Sequence, residues 1–182
     1  MDRGEWEVSE VNPGRVAPMI RASHYLHRMP AVVPCAMALT VDGWVAGALV
    51  WALPPHETAK RYGDVTWELA RLWLRDELPK NSETWFIARC IKHVRMEHQE
   101  VKVLVSYADP TVGHEGTIYK AGNWTYEGLS AKRKDIIANG RRIGRAADGH
   151  GKSITFRERP RKHRYFMRLR RYGRPKIEAV AS

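Results

Sequence analysis

The stretch SYADPTVGHEGTIYKAGNW, running from Ser106 to Trp124, decides how the chain is read. Before it, Val101, Val103 and Val105 alternate as strand residues do; within it hydroxyl, carboxylate, imidazole and glycine crowd together. TIYKA then has helical spacing, and a second aromatic run begins at Trp124. A strand that ends in a polar loop just ahead of a helix is where α/β proteins place chemistry. An ordinary strand–turn–helix joint reads the same way, so the rest of the chain must decide.

Upstream, EWEVSEV (5–11) alternates as a short strand, and Asn12-Pro13 opens a helix carried by Val16, Met19 and Ile20 to about Leu26. His24, Tyr25 and His27 fall at its end. Asp42-Gly43 between CAMALTV and WVAGALVWALP is a hairpin signal. Residues 54–64 read as a polar loop. VTWELARLWLR reads as a strand with Trp67, Leu69, Arg71 and Trp73 on one face and Glu68, Leu72 and Leu74 on the other. An arginine on such a face is costly to bury alone, so Arg71 must meet a carboxylate, a phosphate or a ligand, a structural ion pair being the plain alternative. A helix follows from about Ser82 to His98, capped by Asn81 or Ser82, with Trp85, Phe86, Cys90, Ile91 and Val94 as its core stripe. VKVLVSY is the next strand, GTIYKAG a short helix, and NWTYEGLS another strand. KRKDIIANGRRIGRAADGHGK reads as an exposed arm or long loop, and KHRYFMRLR as a last strand. The implied organisation is a core over 1–130, a basic arm or loop over 131–161, a strand within 162–172 completing the core, and a loose tail over 173–182.

The 182 residues and 43% hydrophobic content fit one globular domain with a real core. No apolar run approaches the roughly 20 residues of a membrane span, and the acidic, polar N-terminus implies no secretory signal. Cys35 and Cys90 stand far apart in apolar surroundings, which suits buried free thiols in a reducing cytoplasm. Charge is divided unevenly: residues 1–129 hold 14 Lys/Arg against 16 Asp/Glu, and residues 130–182 hold 17 against 4. Arginine outnumbers lysine in that last third, with Phe156, Tyr165, Phe166 and Tyr172 interleaved. Planar guanidinium groups among aromatic rings suit phosphate contact and base stacking better than mere solubility.

The order strand, helix, hairpin, strand, helix, strand, helix, strand resembles the GNAT acyltransferase fold. The pieces ELARLWLRDELPKNSETWFIAR (68–89), VKVLVSYADPTVGHEGTIYKAGNW (101–124) and HRYFMRL (163–169) resemble more closely the Mom DNA-modification proteins of Mu-like bacteriophages. This resemblance implies an α/β fold with a mixed, mostly antiparallel central sheet of about six to seven strands flanked by helices, with a basic C-terminal arm. It implies an enzyme acting in the cytoplasm of a bacterial host, converting the exocyclic amine of adenine in phage DNA to a methylcarbamoyl form that escapes restriction. A conventional GNAT N-acetyltransferase using acetyl-CoA and a non-catalytic DNA-binding protein on the same scaffold are the alternatives.

Position by position, the resemblance places function on His24, Tyr25, Arg71, Asp109 and Tyr119. His24, Tyr25 and Asp109 become iron ligands, a chemically coherent set; Tyr119, Arg71 and Asp109 become catalytic side chains, Tyr119 as proton donor to a leaving group. Asp109 could equally just cap the turn before Pro110. Ser106 and His114 are candidate supporting contacts. GNAT enzymes cradle the coenzyme A pyrophosphate in a glycine-rich loop, whereas DELPKNSETW here has no glycine. Acetyl-CoA or a related donor would then lean on Arg71, Lys80, Ser82 and the helix N-terminus. Double-stranded DNA with a flipped adenine is the expected partner, its phosphates gripped by Lys132, Arg133, Lys134, Arg141, Arg142, Arg145 and Arg164, with Trp124, Tyr126 or Tyr165 walling the extruded base.

Overall fold

Asp42 and Gly43 both adopt positive φ, 49° and 80°, the conformation of a two-residue turn that matches strand twist. In this computed structural model, which describes residues 6–139, 141–143 and 153–170, that turn joins β2 (Cys35–Val41) to β3 (Trp44–Ala52). β1 (Trp6–Val11) adds to the outer side of β2, and β4 (Thr66–Leu74) to the inner side of β3. β5 (Val103–Ala108) then runs parallel to β4. β10 (His163–Arg168) inserts between β5 and β6 (Thr125–Leu129), antiparallel to both. The sheet has seven strands, ordered β1-β2-β3-β4-β5-β10-β6, mixed and mostly antiparallel as expected.

Helices cover both faces. α1 (Pro13–Ser23) starts where the Asn12 side chain accepts from the Gly14 N–H at 2.8 Å and buries Val16 and Ile20 on Ala36, Ala38, Ala48 and Val50. α3 (Ser82–Glu97) packs Phe86, Ile87, Cys90, Ile91 and Val94 on the opposite face, against Leu39, Leu49, Trp51, Trp67 and Leu104. Each fully buried side chain of that size contributes on the order of 1.5–3 kcal/mol. α4 (Thr117–Ala121) closes the same layer with Tyr119. Both cysteines are buried and free.

Four local expectations change. Residues 54–64 hold a helix, α2 (His56–Tyr62): Pro55 precedes it, Gly63 ends it in the left-handed region, and Tyr62 anchors it on Val103 and Val105. Asn81 does not cap α3; it takes φ 68° and makes no capping bond, while the Ser82 hydroxyl turns back to the Pro79 carbonyl. In place of a long loop over 131–161, β7 (Arg133–Ala138), β8 (Arg141–Ile143) and β9 (Ile154–Arg159) form a separate three-stranded antiparallel sheet. Lastly, the β3–β4 ladder shifts register, Val50 pairing with Arg71 but Trp51 with Leu69. Ala70 is the extra residue of a β-bulge. Alternation therefore restarts there. Trp67 and Leu69 face α3 with Leu72 and Leu74, while Trp73 packs on the α1 side, and Arg71 leaves the face shared by Trp67 and Leu69.

Candidate active site

β4 and β5 pair only from Thr66–Val103 to Leu69–Ser106. Beyond that point the Ala70 bulge turns β4 aside, and β5 runs on to Ala108 beside β10. The Ser106 hydroxyl seals the last rung by donating to the Leu69 carbonyl at 3.0 Å. A cleft of about 500 Å³ opens where the two strands part, lined by His24, Tyr25, Leu69, Ala70, Glu83, His114 and Tyr119 among others.

Tyr119 reaches this cleft from α4. Its ring packs against Trp124 and Tyr165, with centroids 5.4 and 5.2 Å away, and burial pushes its phenol up to about 12 despite the Ser106 hydroxyl beside it. It is therefore a neutral O–H donor across the physiological range. Gly116 permits this placement: at φ 79° a Cβ would lie 2.3–2.4 Å from Tyr165 ring and hydroxyl atoms. Tyr165, fully buried, donates from its hydroxyl to the Glu115 carbonyl at 2.8 Å and so holds the loop down.

On the opposite wall, His24 follows α1 and stacks on Tyr25 at 4.5 Å; Tyr25 meets His114 edge-on at 5.6 Å. Burial, with Arg71 and His114 adding, lowers His24 to about 4, so its ring is neutral. Nδ1 accepts the Leu26 N–H at 3.1 Å. A neutral imidazole whose Nδ1 accepts must carry its proton on Nε2. His24 is thus a second neutral donor.

Arg71, buried behind the bulge, donates from Nε to the Arg28 carbonyl at 2.8 Å and from Nη1 to the Ala70 carbonyl at 2.6 Å. It ties the segment carrying His24 and Tyr25 to β4. Glu68 was overlooked by sequence reasoning. Burial raises its carboxyl to about 7, although Arg71 and Lys162 both pull the other way. On a regular strand, residues 68 and 71 would face apart; the bulge lets them interact, and nothing in the sequence announces a bulge. Lys162 was also missed. His163 pairs with Ala108, so the next position along faces Asp109, and Lys162 Nζ lies 2.9 Å from Asp109 Oδ2.

Asp109 caps the turn as its plain alternative foresaw: Oδ1 accepts from the Thr111 N–H at 3.1 Å and the Thr111 hydroxyl at 2.6 Å. Burial alone would raise its carboxyl, but Thr111 and Lys162 more than offset that and hold it below the usual value. His24, Tyr25 and Asp109 do not fit an iron ion as they stand, because Asp109 holds Lys162 on Oδ2 and Thr111 on Oδ1.

The coenzyme expectation meets a similar difficulty. Lys80 is exposed, but the Ser82 hydroxyl is committed to Pro79, and Glu83 lines the cleft with a carboxylate where a pyrophosphate would need donors. Arg71 donates to backbone on the α1 side of the sheet. Of the expected DNA contacts, Lys132, Arg133 and Lys134 are exposed. Arg164 is not presented to solvent: its side chain is 13% exposed and pairs with Glu127 at 2.8 Å, beside Arg61. Arg145 and the side chains of Arg141 and Arg142 lie outside the described residues. Trp124 and Tyr165 are buried, leaving Tyr126, 48% exposed and hydrogen-bonded to His163 Nδ1 at 3.0 Å, as an aromatic surface.

A model described as the Mom protein family matches residues 5–180. A relative named methylcarbamoylase mom, from Escherichia phage Mu, is 38% identical over 61 residues, covering 34% of this chain and 25% of the relative. The matched part is thus about a quarter of that relative's length. Solved structures of similar fold include a GNAT family acetyltransferase from Elizabethkingia anophelis with acetyl-CoA bound, with TM-score 0.55, 12% identity, and coverage of 91% of this chain and 99% of that one. Another is the ribosomal-protein-S18-alanine N-acetyltransferase from Escherichia coli, with TM-score 0.55, 9% identity, and coverage of 92% and 96%. At these identities the likeness is one of fold.

Proposed function

The chain belongs to the Mom protein family, and from that premise we propose that it is a DNA-modifying enzyme, adding a methylcarbamoyl group to the exocyclic amine of adenine in phage DNA inside the bacterial host and so shielding that DNA from restriction. The observation that carries the reading is the buried, neutral Tyr119 in the cleft where β4 and β5 separate. The amine of a paired adenine is out of reach, so the base must leave the duplex and enter this cleft. Exposed Lys132, Arg133 and Lys134 hold the phosphates, and Tyr126 offers a ring at the surface.

In the reaction, the amine nitrogen forms a bond to the donor's electrophilic carbon while the bond to the leaving group breaks. Tyr119 gives its proton to the leaving group, and the His24 Nε2–H stabilises negative charge developing opposite it. A preorganised donor of this kind contributes about 10²–10³-fold. His114 takes the proton shed by the amine, and solvent returns one to Tyr119. Arg71, Glu68, Asp109 and Lys162 hold the walls. The acetyl group of acetyl-CoA, bound in a solved structure of similar fold, carries no nitrogen and cannot by itself become a methylcarbamoyl group. The displacement needs a donor that already carries the whole nitrogen-containing group, and the glycine-free loop and Glu83 favour one that does not depend on a pyrophosphate cradle. No step is routed through iron, which His24, Tyr25 and Asp109 do not fit as arranged.

The test is mass spectrometry of nucleosides from DNA of cells expressing the protein. A new adenine species with wild type, lost with Tyr119→Phe, is expected. Absence of any new species while salt-dependent DNA binding persists would leave a non-catalytic DNA-binding protein; acetyl transfer to small amines without DNA would indicate a conventional acetyltransferase.

A further inference from the structure

Away from the cleft, four side chains with metal-ligand chemistry meet beside the edge strand, on the face covered by α3. Glu10 comes from β1, Cys35 opens β2, His93 lies in α3, and His98 ends that helix. Both imidazoles aim Nε2 at the same carboxylate oxygen: His93 Nε2 is 2.7 Å and His98 Nε2 3.0 Å from Glu10 Oε2. Donor atoms of Glu10, Cys35 and His98 all lie within 4.8 Å of one another. The thiol is 2% exposed, while the His93, His98 and Glu10 side chains are 26%, 21% and 37% exposed. The cluster is closed beneath by the core and open on one side to entry.

His93, His98 and Cys35 all hydrogen-bond to Glu10, so what marks the cluster is the convergence of its metal-donor atoms. His98 also turns Nδ1 toward Glu100 Oε1, 3.7 Å away, so both its nitrogens face carboxylates. The Cys35 thiol lies 3.6 Å from the Met37 sulfur and also hydrogen-bonds to Glu10. One divalent cation where Glu10, Cys35 and His98 converge would take a thiolate, an imidazole nitrogen and a carboxylate oxygen. His93, whose Nε2 meets the same Glu10 oxygen from the side, would turn inward as the fourth donor of a tetrahedral zinc set. A thiolate among nitrogens excludes magnesium and calcium as preferred occupants. Glu100 would hold the His98 proton on Nδ1, as carboxylates behind metal-bound histidines do. Thiolate and carboxylate together balance the two positive charges.

We propose that Glu10, Cys35, His93 and His98 form a structural zinc site that pins β1 and β2 to the C-terminal end of α3, separate from the cleft. The site owes nothing to the DNA-modification reading and stands or falls without it. The full chain, stripped of metal and reloaded, is expected to bind one equivalent of zinc by elemental analysis. Loaded with cobalt(II) instead, it is expected to show a thiolate-to-metal charge-transfer band and the d–d spectrum of a tetrahedral site. Cys35→Ala abolishes the charge-transfer band. His93→Gln, at a partly exposed position that leaves the fold intact, abolishes the zinc-dependent rise in melting temperature. Glu100→Gln weakens zinc by about 10- to 100-fold, and Asp109→Asn leaves uptake unchanged. Failure of the wild type to take up zinc, a cobalt spectrum without the thiolate band, survival of that band in Cys35→Ala, or loss of uptake in Asp109→Asn would each overturn the proposal.

Discussion

Lys162 Nζ stands 2.9 Å from Asp109 Oδ2, so the lead-in to the last strand closes onto the end of β5. The contact joins the basic C-terminal third to the candidate site, and it converts Asp109 from a free carboxylate into one arm of an ion pair. Its chemistry sets the first prediction.

Asp109 is held below the ordinary carboxylate range by Thr111 and Lys162 against the opposing effect of burial. A depressed carboxyl contributes stability that is present above its unfolded value and lost as pH falls through its folded value. Lys162→Met removes part of that acid-side dependence and costs roughly 1–2 kcal/mol at pH 7. Urea midpoints measured from pH 3 to 7 check this; an unchanged profile would mean the pair adds nothing.

Glu68 behaves oppositely. Its carboxyl is raised to about 7, so between about pH 4.5 and 7 the folded state binds the extra proton and stability declines as pH rises. Glu68→Gln flattens this decline and leaves the protein relatively more stable at pH 8 than the wild type. Melting temperatures compared at pH 5 and pH 8 decide it, and a variant that keeps the wild-type slope refutes the assignment.

Gly116→Ala places a methyl 2.3–2.4 Å from Tyr165 atoms in a backbone region hostile to side chains. The expected loss is about 2 kcal/mol or more. Gly63→Ala provides the control: φ is likewise positive, but nothing lies within 4 Å, so only the backbone cost of roughly 1 kcal/mol applies. Denaturant midpoints of the two variants should differ in that order.

Arg71→Met deletes the donors to the Arg28 and Ala70 carbonyls. Losing charged donors to these part-buried carbonyls costs about 1.5–3 kcal/mol each at most. Amides of residues 24–29 should exchange faster with deuterium while those of α3 remain protected. Equal protection in both variants and both segments would show that Arg71 does not latch the His24–Tyr25 segment.

Much of the fold was legible because it is written in local patterns. Asp42-Gly43 specifies its turn, Asn12-Pro13 its helix start, and the α3 stripe its buried face. The helix at 56–62 was missed because about two turns carry too little periodicity, although Pro55 and Gly63 bracket it. Residues 133–143 misled through composition, since basic and glycine-rich sequence reads as loop until a partner strand, β9, supplies the hydrogen bonds.

Sequence by itself determined the order of the seven core strands and of α1, α3 and α4, the charge asymmetry, the buried free cysteines and the identity of Tyr119 as a residue to watch. Tertiary structure alone decided which groups meet. The Ala70 bulge moved Arg71 off the face shared by Trp67 and Leu69, because one inserted residue reverses side-chain alternation. The β5–β10 register set Lys162 against Asp109 across 53 residues of chain. Such meetings depend on pairing and packing between distant segments, which no local spacing encodes; they separate a list of candidate residues from a site.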